Sequence, residues 1–115
     1  MSFIVNPYEP IESKDFSQTV EWIIEPKDFE NISFQEGKFV FSFSNCKFKE
    51  LVIKNVREID FEDIGIFFNT CFIEKLLIED VETKNLSIDF GSSILGGKVN
   101  NGNIKSVGFN NCILR

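Results

Sequence analysis

An all-β fold, wound as a parallel β-helix of about three coils behind an atypical N-terminal cap, is predicted for this chain by three observations. An eight-residue phrase occurs three times: FSFSNCKF at 41–48, IFFNTCFI at 66–73 and VGFNNCIL at 107–114. The stretches after the first two copies also match, LVIKNV at 51–56 returning as LLIEDV at 76–81. Apolar residues alternate with polar ones from about residue 20 onward, as in Val20, Trp22, Ile24 and Phe39, Phe41, Phe43. A repeated phrase marks stacked units that share one core. Period two, carried by β-branched and aromatic residues, marks short strands with one inner and one outer face.

Residues 1–30 lack the repeat and hold all three prolines, Pro7, Pro10 and Pro26. Their place and composition fit the terminal unit that a stack of repeats needs over its open apolar end. Within them, residues 13–22 are expected to include a short helix, with Ser13 or Asp15 as its N-cap and Phe16, Val20 and Ile23 on one face. From residue 31 three strand types recur. Phe41 to Phe43 and Ile66 to Phe68 form one, Leu51 to Ile53 and Leu76 to Ile78 another. Ile32-Ser33-Phe34, Ile59-Asp60-Phe61 and Leu86-Ser87-Ile88 form the third. Three types in fixed order predict a three-sided coil with neighbours about 4.8 Å apart, Phe43 over Phe68, Ile53 over Ile78, Phe61 over Ile88 and Cys46 over Cys71.

Residues 91–106, with Gly91, Gly96, Gly97, Gly102 and three asparagines, are expected to be an irregular Gly/Asn loop interrupting the repeats of 31–115. The third phrase meets Arg115 early in a coil, so an open end is expected there, covered by continuing chain or by another subunit. Strand starts every ~8 to 10 residues also describe an antiparallel β-sandwich or barrel, the rival fold. The hairpin signal Asn101-Gly102 occurs once.

The phrase resembles the core of leucine-rich repeats, L-x-L-x-x-N/C-x-L, through Phe41, Phe43, Cys46, Phe48; Ile66, Phe68, Cys71, Ile73; and Val107, Phe109, Cys112, Leu114. It is also similar to the Phe-x-x-Cys repeats of bacterial surface leucine-rich proteins. That resemblance implies a helix or irregular arc after each core, where this chain continues in β alternation. The chain therefore looks more like a β-solenoid of the right-handed parallel β-helix type. Pentapeptide-repeat proteins share that architecture, but not this rhythm.

Composition narrows the function. Of 16 aromatic residues, 14 are Phe, which fills interiors without asking for a hydrogen bond. The net charge of −6 opposes direct nucleic-acid binding, which rests on Lys and Arg neutralising phosphates. The absence of histidine removes the commonest general base and metal ligand. No stretch approaches the ~18 apolar residues of a membrane helix, and 1–10 have no basic lead-in for a signal peptide, so a cytoplasmic protein is expected.

Individual motifs agree. Cys46, Cys71 and Cys112 share one repeat position and read as a buried thiol ladder rather than a metal centre. Asn45, Thr70 and Asn111 precede them as corner residues. Gly96-Gly97-Lys98 fails as a phosphate loop because Val99 stands where Ser or Thr is needed. Asp60, Glu62 and Asp63 with Asp89 are expected to form an outward acidic strip. With Lys98, Asn100 and Asn101 from the Gly/Asn loop, these are the candidate partner-binding residues. No catalytic, cofactor or metal residue is assigned. The expected function is a non-catalytic protein-binding or scaffold module, with a basic protein favoured as partner and a homo-oligomer through the C-terminal end also allowed. The alternatives are a small acidic inhibitor or immunity-type protein, and a fragment of a carbohydrate-active β-helix whose carboxylates bind calcium or share acid and base roles.

Overall fold

The computed structural model describes residues 5–24, 39–55, 63–79, 86–99, 106–110 and 112–114. They form ten strands: β1 Ile11–Glu12, β2 Asp15–Ile24, β3 Phe39–Ser44, β4 Lys47–Asn55, β5 Ile64–Asn69, β6 Phe72–Glu79, β7 Leu86–Gly91, β8 Ile94–Val99, β9 Ser106–Asn110 and β10 Ile113–Leu114. Odd strands make one five-stranded sheet, in the order β1-β3-β5-β7-β9. Even strands make the other, in the order β10-β8-β6-β4-β2. Every pairing among the described strands is parallel, which excludes the antiparallel sandwich or barrel.

The chain thus alternates between the sheets, and each repeated phrase straddles both. Phe41 and Phe43 lie in β3 and Phe48 in β4; Ile66 and Phe68 lie in β5 and Ile73 in β6. The residues after the leucine-rich-like core are therefore a second sheet. Phe43 pairs with Phe68 and Ile53 with Ile78, as the sequence predicts. Ile88 pairs with Ile66 on one side and Val107 on the other, and Phe61, its expected neighbour, lies outside the described residues. Leu86 to Ile88 accordingly belongs to the first sheet and not to a third side. The rest of that series, Ile32 to Phe34 and Ile59 to Phe61, lies outside the described residues.

Two further expectations are corrected. Residues 13–22 carry no helix, because burying Val20, Trp22 and Ile24 on one side of an extended chain in β2 satisfies the period-two pattern better than a helix would. Residues 94–99, expected in an irregular loop, are strand β8, where Ile94 and Leu95 pair with Phe72 and Ile73. The segment IDFGSSIL at 88–95 is a fourth copy of the phrase, with Ser93 in the cysteine position.

Between the sheets lies a core dominated by Phe. Phe41, Phe43, Phe48, Phe68 and Phe90 are all fully buried. Within the first sheet Phe43, Phe68 and Phe90 stack nearly parallel, at centroid distances of 4.9 and 5.0 Å. Across the sheets the rings meet edge to face: Trp22 with Phe41 at 5.1 Å, Phe43 with Phe48 at 5.8 Å and Phe48 with Phe68 at 6.2 Å. Both are the arrangements that a ring quadrupole favours. At the N-terminal side Tyr8 packs against Phe39, and its backbone N–H donates to the Val40 carbonyl at 2.8 Å.

The bend from first to second sheet is built the same way each time. Ser13, Asn45, Thr70 and Ser92 occupy equivalent corners, with φ of 55°, 55°, 55° and 50°. A left-handed residue turns the strand sharply while hydrogen bonding continues through the corner. Asn45 N–H donates to the Asn69 carbonyl at 3.0 Å and Thr70 N–H to that of Gly91 at 2.8 Å. After Asn45, Thr70 and Ser92 the next side chain points inward, whereas Lys14 after Ser13 is exposed. Cys46 Sγ donates to the Ser44 carbonyl at 3.4 Å, Cys71 Sγ to that of Asn69 at 3.6 Å, and Ser93 Oγ to that of Gly91 at 3.0 Å. Ser93 Oγ also accepts from the Cys71 N–H at 3.0 Å. The position therefore wants a small group that donates to the carbonyl two residues earlier, which Cys and Ser both supply.

Candidate functional site

The two sheets present very different outer faces. On the second, charges of opposite sign sit on adjacent strands. Lys54 Nζ lies 3.6 Å from Glu21 and 3.9 Å from Glu79, and Lys75 Nζ lies 3.2 Å from Glu50. Thr19 Oγ1 donates to Glu50 at 3.1 Å. The Lys75 contact first, and the Thr19 hydroxyl second, hold the Glu50 carboxyl below its ordinary range. Val52, paired with Glu21 and Leu77, lies between these charges and is buried beneath them. These pairs neutralise one another, while the exposed Asp15, Lys47, Lys49 and Glu74 on the same strands make no ion pair among the described residues.

On the first sheet's outer face none of the ion pairs seen among the described residues occurs. Alternation places Phe67, Asp89 and Gly108 outward on β5, β7 and β9, opposite inward Ile66 and Phe68, Ile88 and Phe90, and the register sets the three side by side: Phe67 with Asp89, Asp89 with Gly108. The next outward row is Asn69 with Gly91. Gly108 beside Asp89, and Gly91 beside Asn69, leave a depression, since side chains are absent where the sheet would otherwise be covered. The result is an open groove of about 430 Å³ lined by Phe67, Asn69, Asp89, Gly91 and Gly108, with the backbone of Phe68 and Phe90 as its floor. The Asp89 side chain leans across β9, where a Cβ built at Gly108 would come 2.7 Å from Oδ1. Glycine at 108 is what lets the carboxylate lie there. Among the described residues no lysine or arginine lies within ion-pair distance of Asp89.

The sequence-based candidates are dispersed. Asp60, Glu62, Asn100 and Asn101 lie outside the described residues. Asp63 is exposed just before β5, where its carbonyl accepts the Phe39 N–H at 2.8 Å. It stands four residues from Phe67, the partner of Asp89, so the strand rise separates the two carboxylates by about 13 Å along the sheet. That is too far to share an ion or a proton. Lys98 is in the second sheet, paired with Leu77, and so on a different sheet from Asp89. Among the described candidates only Asp89 stands in the groove. Phe67, Asn69, Gly91 and Gly108 were missed, although Phe67 carries a signal: in IFFN it breaks the alternation and must point outward.

Among the described residues no group of histidine, cysteine or carboxylate side chains is placed to hold a metal ion. The cysteines are free thiols; Cys46 and Cys71 are buried, and burial pushes the Cys71 thiol up to about 11. No helix among the described residues is long and apolar enough to cross a membrane. Comparison with known protein families, curated proteins and solved structures finds no match.

Proposed function

We propose that this chain is a two-sided β-solenoid, the described strands being successive rungs of one continuous coil, and that it works as a non-catalytic protein-binding module. The supporting observation is the contrast between the outer faces. On the second sheet Lys54 and Lys75 are paired with glutamates on neighbouring strands, whereas the first carries an outward Phe67 and an Asp89 with no cation beside it among the described residues, around a groove. Repeat stacks use extended faces of this kind for recognition, and interfaces favour aromatics in partly covered depressions. The acidic net charge favours a basic partner through complementary potentials.

A photo-crosslinking residue at position 67, compared with one at position 19 on the second sheet, tests the reading in cells that make the protein. One discrete protein adduct from position 67 and none from position 19 is expected. Adducts from both faces alike, or from neither, would remove the assignment.

A further inference from the structure

We infer that a groove along the bend between the two sheets binds a pyranose sugar. The site is separate from the Phe67 face, so the inference goes beyond the protein-binding reading and does not depend on it.

The groove encloses about 300 Å³ and is made by stacking alone. Asn45, Thr70 and Ser92, the left-handed corner residues after β3, β5 and β7, form one wall. Lys47, Phe72 and Ile94, register partners at the start of β4, β6 and β8, form the other. Register keeps neighbours within each wall about 4.8 Å apart. One wall is therefore a row of amide and hydroxyl groups, and the other is an apolar row with an ammonium at one end.

These groups have bonding capacity to spare. The side chains of Asn45, Lys47 and Ser92 make no hydrogen bond or ion pair among the described residues. The Thr70 hydroxyl donates to Asn69 Oδ1 at 3.4 Å and keeps its lone pairs to accept. Phe72 is partly exposed and meets no other ring among the described residues, whereas the partly buried Phe16 is stacked on Phe48. The floor is different. There the Cys46 carbonyl accepts the Phe72 N–H and the Cys71 carbonyl accepts the Ile94 N–H, each at 2.9 Å, while the Cys71 N–H donates to Ser93 Oγ.

That contrast selects the ligand. An extended peptide adds to a protein through free backbone groups, and the backbone here is already paired. An apolar ligand would strip water from Asn45, Thr70 and Ser92 without replacing their hydrogen bonds, which opposes binding. A bare anion would meet Lys47 and leave the ring uncovered. A pyranose has both kinds of surface: an edge of hydroxyls that donate and accept, and a face of C–H groups that the negative face of an aromatic ring attracts. With that face against Phe72, its hydroxyl edge meets the polar row across the groove, and Lys47 donates to a further oxygen.

The probes are the methyl glycosides of glucose, galactose, mannose and N-acetylglucosamine, each titrated into isotope-labelled protein and followed by amide chemical shifts. Saturable shifts at Asn45, Thr70, Phe72 and Ser92 are expected with at least one of them. They should be absent with sorbitol, which carries the hydroxyls without a ring face. Affinity should fall roughly tenfold in Phe72→Leu, the loss of one aromatic contact. It should fall less in Asn45→Gly and Ser92→Gly, because glycine suits the left-handed corner and removes only the side chain's hydrogen bonds. Dispersed spectra establish that these variants fold. Ile23→Thr, on exposed surface at the far end of β2, should bind as the parent does. Saturation by none of the glycosides, equal shifts with sorbitol, unchanged affinity in Phe72→Leu, or saturation by a tetraglutamate peptide in their place would overturn the assignment. Failure of the titrations beside an intact position-67 crosslink would refute the sugar site and leave the protein-binding face standing.

Discussion

The ring of Phe68 lies flat over that of Phe43, with centroids 4.9 Å apart and planes 10° apart, although 25 residues separate them. Phe90 stacks on the other side of Phe68 at 5.0 Å and 11°. One side chain thus ties three strands of the first sheet together, and through its edge contact with Phe48 it reaches the second.

Phe68→Ala should therefore be severely destabilising. Removing a fully buried ring that its neighbours cannot replace costs about 3 to 5 kcal/mol. Phe68→Leu keeps much of the apolar volume and should cost less than half as much. Chemical denaturation of the two variants beside the parent measures both.

Thr70 sits at a corner with φ of 55°, a region where β-branched residues are rare. Asn45 holds the same corner one coil earlier with the same φ, and asparagine tolerates it better. Thr70→Asn should raise the unfolding free energy by about 1 kcal/mol, the low end of the cost of such backbone strain. A lowered denaturation midpoint would mean that the Thr70 hydroxyl, which donates to Asn69 Oδ1 at 3.4 Å, outweighs the strain.

Strands and repetition were legible because both live in short-range pattern. Period-two alternation located the strands from Phe39 to Ile78, and the cysteine phrase located three of its copies. The fourth copy, 88–95, escaped because Ser93 replaces cysteine and Gly91-Ser92 replaces the Asn-rich corner, substitutions that keep the donor and the left-handed turn but change the letters. The return length also shrinks, from 25 residues between Phe41 and Ile66 to 22 between Ile66 and Ile88 and 19 between Ile88 and Val107. A fixed period of 27 therefore aligned Leu86 with Ile59, whereas it pairs with Ile64 in the first sheet. The groove was half legible. Asp89 stood out as a charge, but its neighbours Phe67 and Gly108 are set by register, which depends on those return lengths.

Alkaline stability should depend on Cys71. Burial raises its thiol from 9.0 to about 11, because the thiolate is poorly solvated at the inner corner. A group with a raised folded pKa stabilises the fold fully below its unfolded pKa and loses that contribution as pH rises through the folded value. Stability should fall between about pH 9 and 11. Cys71→Ala, compared over the same range by thermal unfolding, should lack that share of the decline. At neutral pH the half-buried Cys112 should react with a thiol reagent before Cys46 or Cys71 does.

Lys54 neutralises Glu21 and Glu79 on either side. Lys54→Glu would put three carboxylates on adjacent strands. These side chains are partly exposed, so the loss should be only on the order of 1 kcal/mol. It should shrink as salt screens the repulsion. Denaturation midpoints at low and high salt give the comparison, and a salt-independent loss would point to packing of the Lys54 stem over Val52 instead.

The central claim is that successive copies of the phrase stack in register, so that β7, followed by Ser93 in the cysteine place, lies between β5 and β9. Nuclear Overhauser contacts among side-chain protons test this without assuming a fold. The account predicts ring contacts from Phe68 to both Phe43 and Phe90, together with methyl contacts from Ile88 to Ile66. Contacts from Ile88 to Phe61 with none to Ile66, or a Phe68 ring that meets only one of its two partners, would contradict it.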